Sequence, residues 1–300
     1  MLHLSSQESI KHAEPDEQDS GNKKYLTQWE TVGDLGYTAS GPSSKPLPSK
    51  IYTLNWFQQR IVFRIQPQEI DELYEFPGSP GSQFLNELKQ FLENGKKYAE
   101  FGFSHQRGFG LYGKAGGGKT SLVQEAMRIM LEMKGVVILG NIDPNTLKLG
   151  LDQLRSVEPE RYVMVVLEDL DSILKEYGEP QFLALLDGES KIDRCVFIAT
   201  TNYPDLLDDR IKNRRRRFDR WFEIDLLNAE QRKVYFTKKL GELPIVEDLV
   251  RLSEGMTLGD MAEIIISIQC LGLDKDEVIS NIRKSIAGKT FSSSKREVGF

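Results

Sequence analysis

The chain has 300 residues, 39% of them hydrophobic and 28% charged, which suffices for a buried core in one large domain or two small ones. A formal net charge of −6 argues against coating nucleic acid or anionic membrane by bulk charge, so any basic site must be local. Only Cys195 and Cys270 occur, each in an apolar stretch, no run approaches the roughly 18 apolar residues of a membrane span, and the N-terminus lacks a secretory pattern, so a disulfide framework is excluded and a soluble, cytoplasmic protein without membrane insertion is expected.

Residues 1–50 are rich in Ser, Glu, Asp, Lys, Pro and Gly and end in TASGPSSKPLPSK. Such a segment buries too little apolar surface to offset chain entropy, and reads as a disordered or loosely docked arm. IYTLNWFQQRIVFRI then has two β-branched and aromatic runs, stopped by FPGSPGS, which predicts a small β element over 51–82. In QFLNELKQFLENGKKYAEFG the apolar residues Phe84, Leu85, Leu88, Phe91 and Leu92 fall at helical spacing. Next, GFGLYG, VVILG, VMVVL, CVFIATT and RWFEIDL alternate with helical segments. Each is too short and too continuously apolar for an amphipathic helix, the mark of strands buried on both faces. The predicted fold over 83–227 is therefore α/β, with a five-stranded parallel sheet flanked by helices. From Asn228 the pattern is helical only, giving a second, all-helical domain over 228–287 and a polar tail over 288–300.

Gly113-Lys114-Ala115-Gly116-Gly117-Gly118-Lys119-Thr120 matches G-x-x-x-x-G-K-[ST] between a predicted strand and a helix that continues with Ser121. Glycines let backbone N–H groups converge on phosphate oxygens, and the helix N-terminus adds partial positive charge. Lys119 is placed to contact the β- and γ-phosphates and Thr120 to hold Mg²⁺, with Ser121 completing the cofactor site. YVMVVLEDLDSIL delivers Glu168, Asp169 and Asp171 at the end of a buried strand, where ligands bind in open α/β sheets. One carboxylate is needed to orient a magnesium shell and another to activate water. The usual Asp-Glu order is inverted here, which puts Glu168 at the metal position and the shorter Asp169 at the base position.

CVFIATTN ends in Asn202, which can orient a lytic water or simply start the turn into Tyr203-Pro204. The run from Asp209 to Arg220 contains Arg214, Arg215, Arg216 and Arg217 and reads in isolation as a solvated face or a phosphate-attracting patch.

GLYGKAGGGKTSL, VMVVLEDLDSIL, FIATTNYPDLLDD and RRRRFDRWFEID resemble, in order, the Walker A, Walker B, sensor 1 and arginine-finger segments of AAA+ ATPases over about residues 72–285. Within that group, LEDLD, FLALLDGE and the lead-in to the phosphate loop look most like the branch of the mitochondrial Rieske-protein translocase. The resemblance implies a P-loop NTPase domain with a C-terminal helical AAA+ lid and ATP and Mg²⁺ as cofactors. It implies Glu168 and Asp169 as Walker B, Asn202 as sensor 1, and Arg214 and Arg217 as arginines reaching the neighbouring subunit's nucleotide. The turn from Leu252 to Ala262 would abut the nucleotide. A homo-oligomeric ring of six subunits and a macromolecular client, protein rather than nucleic acid, follow from the same resemblance. Where unfoldases of this group place an aromatic pore residue before glycine, the chain has Lys148-Leu149-Gly150. Three other readings stand beside it: a nucleic-acid motor or loader with Lys148 and the arginine run lining a basic channel, an ATP-gated scaffold with little turnover, and a small-molecule kinase.

Overall fold

In the computed structural model, which describes residues 28–31, 36–40, 46–67, 76, 78–187, 192–207, 211 and 218–294, four strands come first: β1 (Gln28–Thr31), β2 (Gly36–Ser40), β3 (Ile51–Phe57) and β4 (Arg60–Ile65). The five predicted runs follow as β5 (Gln106–Tyr112), β6 (Val136–Leu139), β7 (Val163–Leu167), β8 (Cys195–Thr201) and β9 (Arg220–Glu223). All nine make one sheet in the order β1-β2-β4-β3-β6-β7-β8-β5-β9. The stretch β6-β7-β8-β5-β9 is parallel throughout, as the sequence predicts.

Successive residues of β7 serve opposite cores. Val163, Val165 and Leu167 pack into one cluster, while Met164 and Val166 pack into the other. A strand covered on both sides has no polar face, which is why its sequence does not alternate. One face carries α1 (Pro80–Glu93), α2 (Gly95–Glu100) and α3 (Lys119–Glu132), and the other carries α4 (Pro144–Val157), α5 (Leu170–Tyr177) and α6 (Glu179–Asp187). The helix starts follow local chemistry: Ser79 accepts from the Ser82 amide ahead of α1 and Asp143 from the Thr146 amide ahead of α4, each with Pro in the first helical turn.

The sheet extends further than the sequence predicts. Instead of a separate element over 51–82, β3 runs parallel to β6, and β4, β2 and β1 continue the sheet antiparallel to one another. Part of the expected arm is also docked. Trp29 and Leu47 are buried, and the Glu158 carboxylate accepts both the Trp29 indole N–H at 2.7 Å and the Leu47 amide at 2.9 Å. Arg161 donates to the Leu47 carbonyl at 3.0 Å. These few anchors compensate for the polar composition around them, whereas the rest of the expected arm, residues 1–27, 32–35 and 41–45, lies outside the described residues.

Beyond the sheet, α7 (Ala229–Leu240), α8 (Ile245–Leu252), α9 (Leu258–Ile265, prolonged by a π turn over Ile266–Cys270) and α10 (Lys275–Ser294) enclose their own core around Tyr235, Phe236, Leu249, Met261 and Ile264. Reciprocal capping boxes open two of them: Asn228 with Gln231 ahead of α7, and Thr257 with Asp260 ahead of α9. Among the described residues no helix is long and apolar enough to cross a membrane.

Candidate active site

Strand β5 ends at Tyr112, and the chain turns through the glycine-rich loop into α3, whose first residue is Lys119. The lysine does not extend into solvent. Its ammonium donates to the Gly113 carbonyl at 2.7 Å and the Lys114 carbonyl at 2.9 Å, and the residue is 7% exposed. Burial pushes its pKa below the ordinary lysine value, opposed by the negative charge of Asp169.

Opposite this loop, Glu168 and Asp169 follow the end of β7 at Leu167. Burial pushes the Glu168 carboxyl above its ordinary pKa, the neighbouring Asp169 charge pushes it further, and a hydrogen bond from the Thr120 hydroxyl works the other way. Asp169 has φ 52° and ψ 56°, left-handed values that aspartate tolerates better than most residues. It stands at the N-cap of α5 yet makes no side-chain capping bond, so its carboxylate is not committed to the helix. Two acid groups crowded against a buried ammonium and a threonine hydroxyl fit a phosphate-bound divalent cation: the cation would relieve the acid–acid repulsion, and the phosphates would take over the lysine from its loop carbonyls.

Ala115, Gly116, Gly118, Lys119, Thr120, Ser121, Glu168, Asp169 and Asn202 line one cleft of about 420 Å³. The structure thus brings together most of the predicted phosphate, metal and water-orienting residues. Gly113 and Lys114 act through their carbonyls on Lys119, and Gly117 faces a neighbouring cleft of about 600 Å³ walled by Phe76, Leu85, Leu122, Ile224, Tyr235 and Ala262. The two clefts share Gly118, Ser121, Leu258 and Gly259. The turn bearing Asn202 is fixed by the Thr201 hydroxyl, which donates to Asp171 at 2.7 Å and accepts from the Tyr203 amide at 3.0 Å.

The helical domain touches the phosphate loop directly. The Leu258 amide donates to the Gly116 carbonyl at 3.3 Å. A Cβ on Gly116, which has φ +79°, would come within 2.5 Å of the Thr257 methyl, so glycine is required there both for conformation and for contact. Thr257, Leu258 and Gly259 fall inside the Leu252–Ala262 stretch expected to abut the nucleotide.

Two side chains absent from the sequence reading hold the acidic pair: Asn141, which exchanges hydrogen bonds with the Glu168 backbone, and Thr200, which accepts from the Asp169 amide at 3.1 Å. Neither belongs to a spacing that advertises the role; it exists only because β6 and β8 flank β7. The apolar walls of the larger cleft come from four distant segments and were equally unreadable as a set. Arg214 and Arg217 lie outside the described residues. Lys148-Leu149-Gly150 sits within α4 rather than in a loop, with Gly150 against Leu54.

Residues 109–226 match the sequence model of the family described as "ATPase family associated with various cellular activities (AAA)". The chain is similar to the "ATP-dependent zinc metalloprotease FtsH" of Aster yellows witches'-broom phytoplasma, with 26% identity over 243 residues, 70% of this chain and 35% of that protein. It is similar to the "Mitochondrial inner membrane m-AAA protease component YTA10" of Saccharomyces cerevisiae, with 30% identity over 213 residues, 60% of this chain and 28% of that protein. The FtsH of Slackia heliotrinireducens matches at 27% identity over 236 residues, 68% of this chain and 30% of that protein. The chain therefore spans about a third of the length of these relatives.

Proposed function

We propose that this chain is an ATPase of the AAA family, which binds ATP-Mg in the cleft between the Gly113–Thr120 loop and the end of β7 and hydrolyses it. The observation that carries the proposal is the meeting of Thr120 with Glu168 beside the buried, desolvated Lys119. Lys119 exchanges two carbonyl partners for the β- and γ-phosphates. Thr120 and Glu168 face the cation, Asn202 orients the attacking water, and the Asp169 carboxylate accepts its proton. Bound ATP-Mg supplies the phosphoanhydride and the cationic charge that offsets negative charge on the transferring group. The apolar cleft between Phe76, Leu122 and Tyr235 takes the base and ribose.

A ring, six-membered by the resemblance, follows as part of the same proposal. Arg214 and Arg217 would act on the neighbour's γ-phosphate, so that turnover needs an adjacent subunit. The output would be remodelling of a macromolecular client, a protein rather than a nucleic acid. The free thiols of Cys195 and Cys270 support a reducing, cytoplasmic setting. The finer kinship with the Rieske-protein translocase branch rests on LEDLD, FLALLDGE and the lead-in to the phosphate loop.

Subunit mixing tests the reading. Arg217→Ala has an intact pocket but no finger, and Lys119→Ala has the finger but no pocket; each alone should be inactive, and the mixture should regain part of the activity. A wild-type rate per subunit independent of concentration, with no rescue in the mixture, would refute the ring.

A further inference from the structure

The order of the acidic pair makes backbone placement more demanding than usual. An aspartate carboxylate is one methylene closer to its Cα than a glutamate carboxylate and has one fewer side-chain torsion with which to correct an error. At Asp169, therefore, the reach to water is set by where the backbone lies, and a misplacement of about 1 Å can cost on the order of a hundredfold in rate.

The backbone of both acids is held from the two flanking strands by side chains. On one side the β6–β7 ladder makes its last backbone rung where the Gly140 amide donates to the Val166 carbonyl at 2.7 Å. Beyond that rung the Asn141 carboxamide continues the ladder. Its Nδ2 donates to the Glu168 carbonyl at 3.0 Å, and its Oδ1 accepts from the Glu168 amide at 3.1 Å. On the other side β7 and β8 are in register to Leu167 and Ala199, and the next β8 residue, Thr200, uses its hydroxyl oxygen to accept from the Asp169 amide at 3.1 Å. Each amide of the pair is thus pinned by a different strand. Thr200 is buried at 4% exposure and its bond to the Asp169 amide is partly buried, so that losing the acceptor costs more there than at Asn141, whose exposed bonds compete with water.

Resting on the proposed ATPase site, we propose that Asn141 and Thr200 are positioning residues for this reaction: Asn141 sets Glu168 for the magnesium ion, and Thr200 sets Asp169 for the attacking water. The two roles separate kinetically.

Three measurements on the full chain test this: amide hydrogen exchange without nucleotide, binding of a fluorescent ATP analogue against Mg²⁺ concentration, and steady-state ATPase kinetics. Thr200→Val, close to isosteric, should speed exchange of the Asp169 amide about tenfold and lower kcat about tenfold, with KM for ATP within about twofold. Thr200→Ser, which restores the acceptor, should return kcat to within about twofold of wild type. Asn141→Ala should speed exchange of the Glu168 amide and raise the Mg²⁺ requirement for binding about fivefold, leaving kcat at saturating Mg²⁺ within about twofold. Unchanged exchange at residues 168 and 169 would overturn the clasp itself. Faster exchange with no kinetic split in an active wild-type background, or no rescue by serine, would overturn the positioning roles. A wild type that neither binds nor hydrolyses ATP would instead sink the ATPase reading and these roles with it, a failure seen before any variant is compared.

Discussion

Replacing Lys119 with alanine separates what the lysine does for the fold from what it does for a ligand. Its ammonium is buried and held by two carbonyls, so removal deletes two charge-assisted hydrogen bonds but also relieves the desolvation that depresses its pKa. Those effects oppose each other, and the unliganded stability should change by no more than about 1 kcal/mol. The ligand term does not cancel. A unit-charge pair about 4 Å apart is worth roughly 4 kcal/mol at an effective dielectric constant near 20, and surrendering the two carbonyl bonds, net of the desolvation set against them, takes back about 1 kcal/mol. The difference of about 3 kcal/mol corresponds to a rise in Kd for ATP-Mg of somewhat more than a hundredfold. Titration of a fluorescent ATP analogue, with thermal melts in the presence and absence of ATP, measures both quantities. A Kd within threefold of wild type, or undiminished thermal stabilisation by ATP, would show that Lys119 does not face the phosphates and refute the electrostatic argument.

The acidic pair gives a second expectation: Asp169→Asn should abolish turnover while retaining ATP, and Glu168→Gln should chiefly weaken magnesium-dependent binding. Full hydrolysis by Asp169→Asn together with tight ATP-Mg binding by Glu168→Gln would reverse the assignment. Glu158→Ala removes the shared acceptor of Trp29 and Leu47 and should cost about 3 kcal/mol in denaturant unfolding, with ATP binding unaffected. An unchanged midpoint would mean that Trp29 and Leu47 are held by packing alone. Gly150→Val places a Cβ 2.3 Å from Leu54 Cδ1 and should destabilise the chain by about 2 kcal/mol through overpacking; a raised melting temperature would exclude that close approach.

The central strands were legible because burial on both faces leaves a distinctive mark: residues 163–167 and 195–199 are apolar at consecutive positions, a pattern that neither a surface helix nor a half-exposed strand produces. The phosphate loop was legible because its chemistry is local, with backbone, lysine and threonine all within eight residues. What stayed hidden is what depends on contact between distant segments. Residues 28–31 and 36–40 look too polar to pack, and only the partners at Glu158 and in the core make strands of them. Asn141 looks like any polar residue after a strand until β7 is set beside it. Lys148-Leu149-Gly150, which stands where unfoldases place an aromatic pore residue before glycine, likewise shows its helical setting only through packing.

That helix and the enlarged sheet have a common cause. Without β3, strand β6 would be a bare edge with unpaired N–H and C=O groups. The pairings Ile51 with Val137 and Tyr52 with Ile138 close that edge, but β3 and β4 bring Tyr52, Leu54, Ile61 and Phe63 onto the face that α4 must cover. Leu147, Leu151 and Leu154, spaced at i, i+4 and i+7, form the stripe that covers them, and all three belong to the same core cluster. The stripe is continuous only if α4 is continuous. A loop looped out at Lys148-Leu149-Gly150 would lift Leu147 away from Leu151 and expose Leu54, against which Gly150 packs too closely to admit a Cβ. The Trp56 indole, donating to the Thr146 hydroxyl at 3.0 Å, ties the hairpin end to the first turn of the same helix. Lys148 and Leu149 are consequently presented on the outer, exposed side of a packed helix.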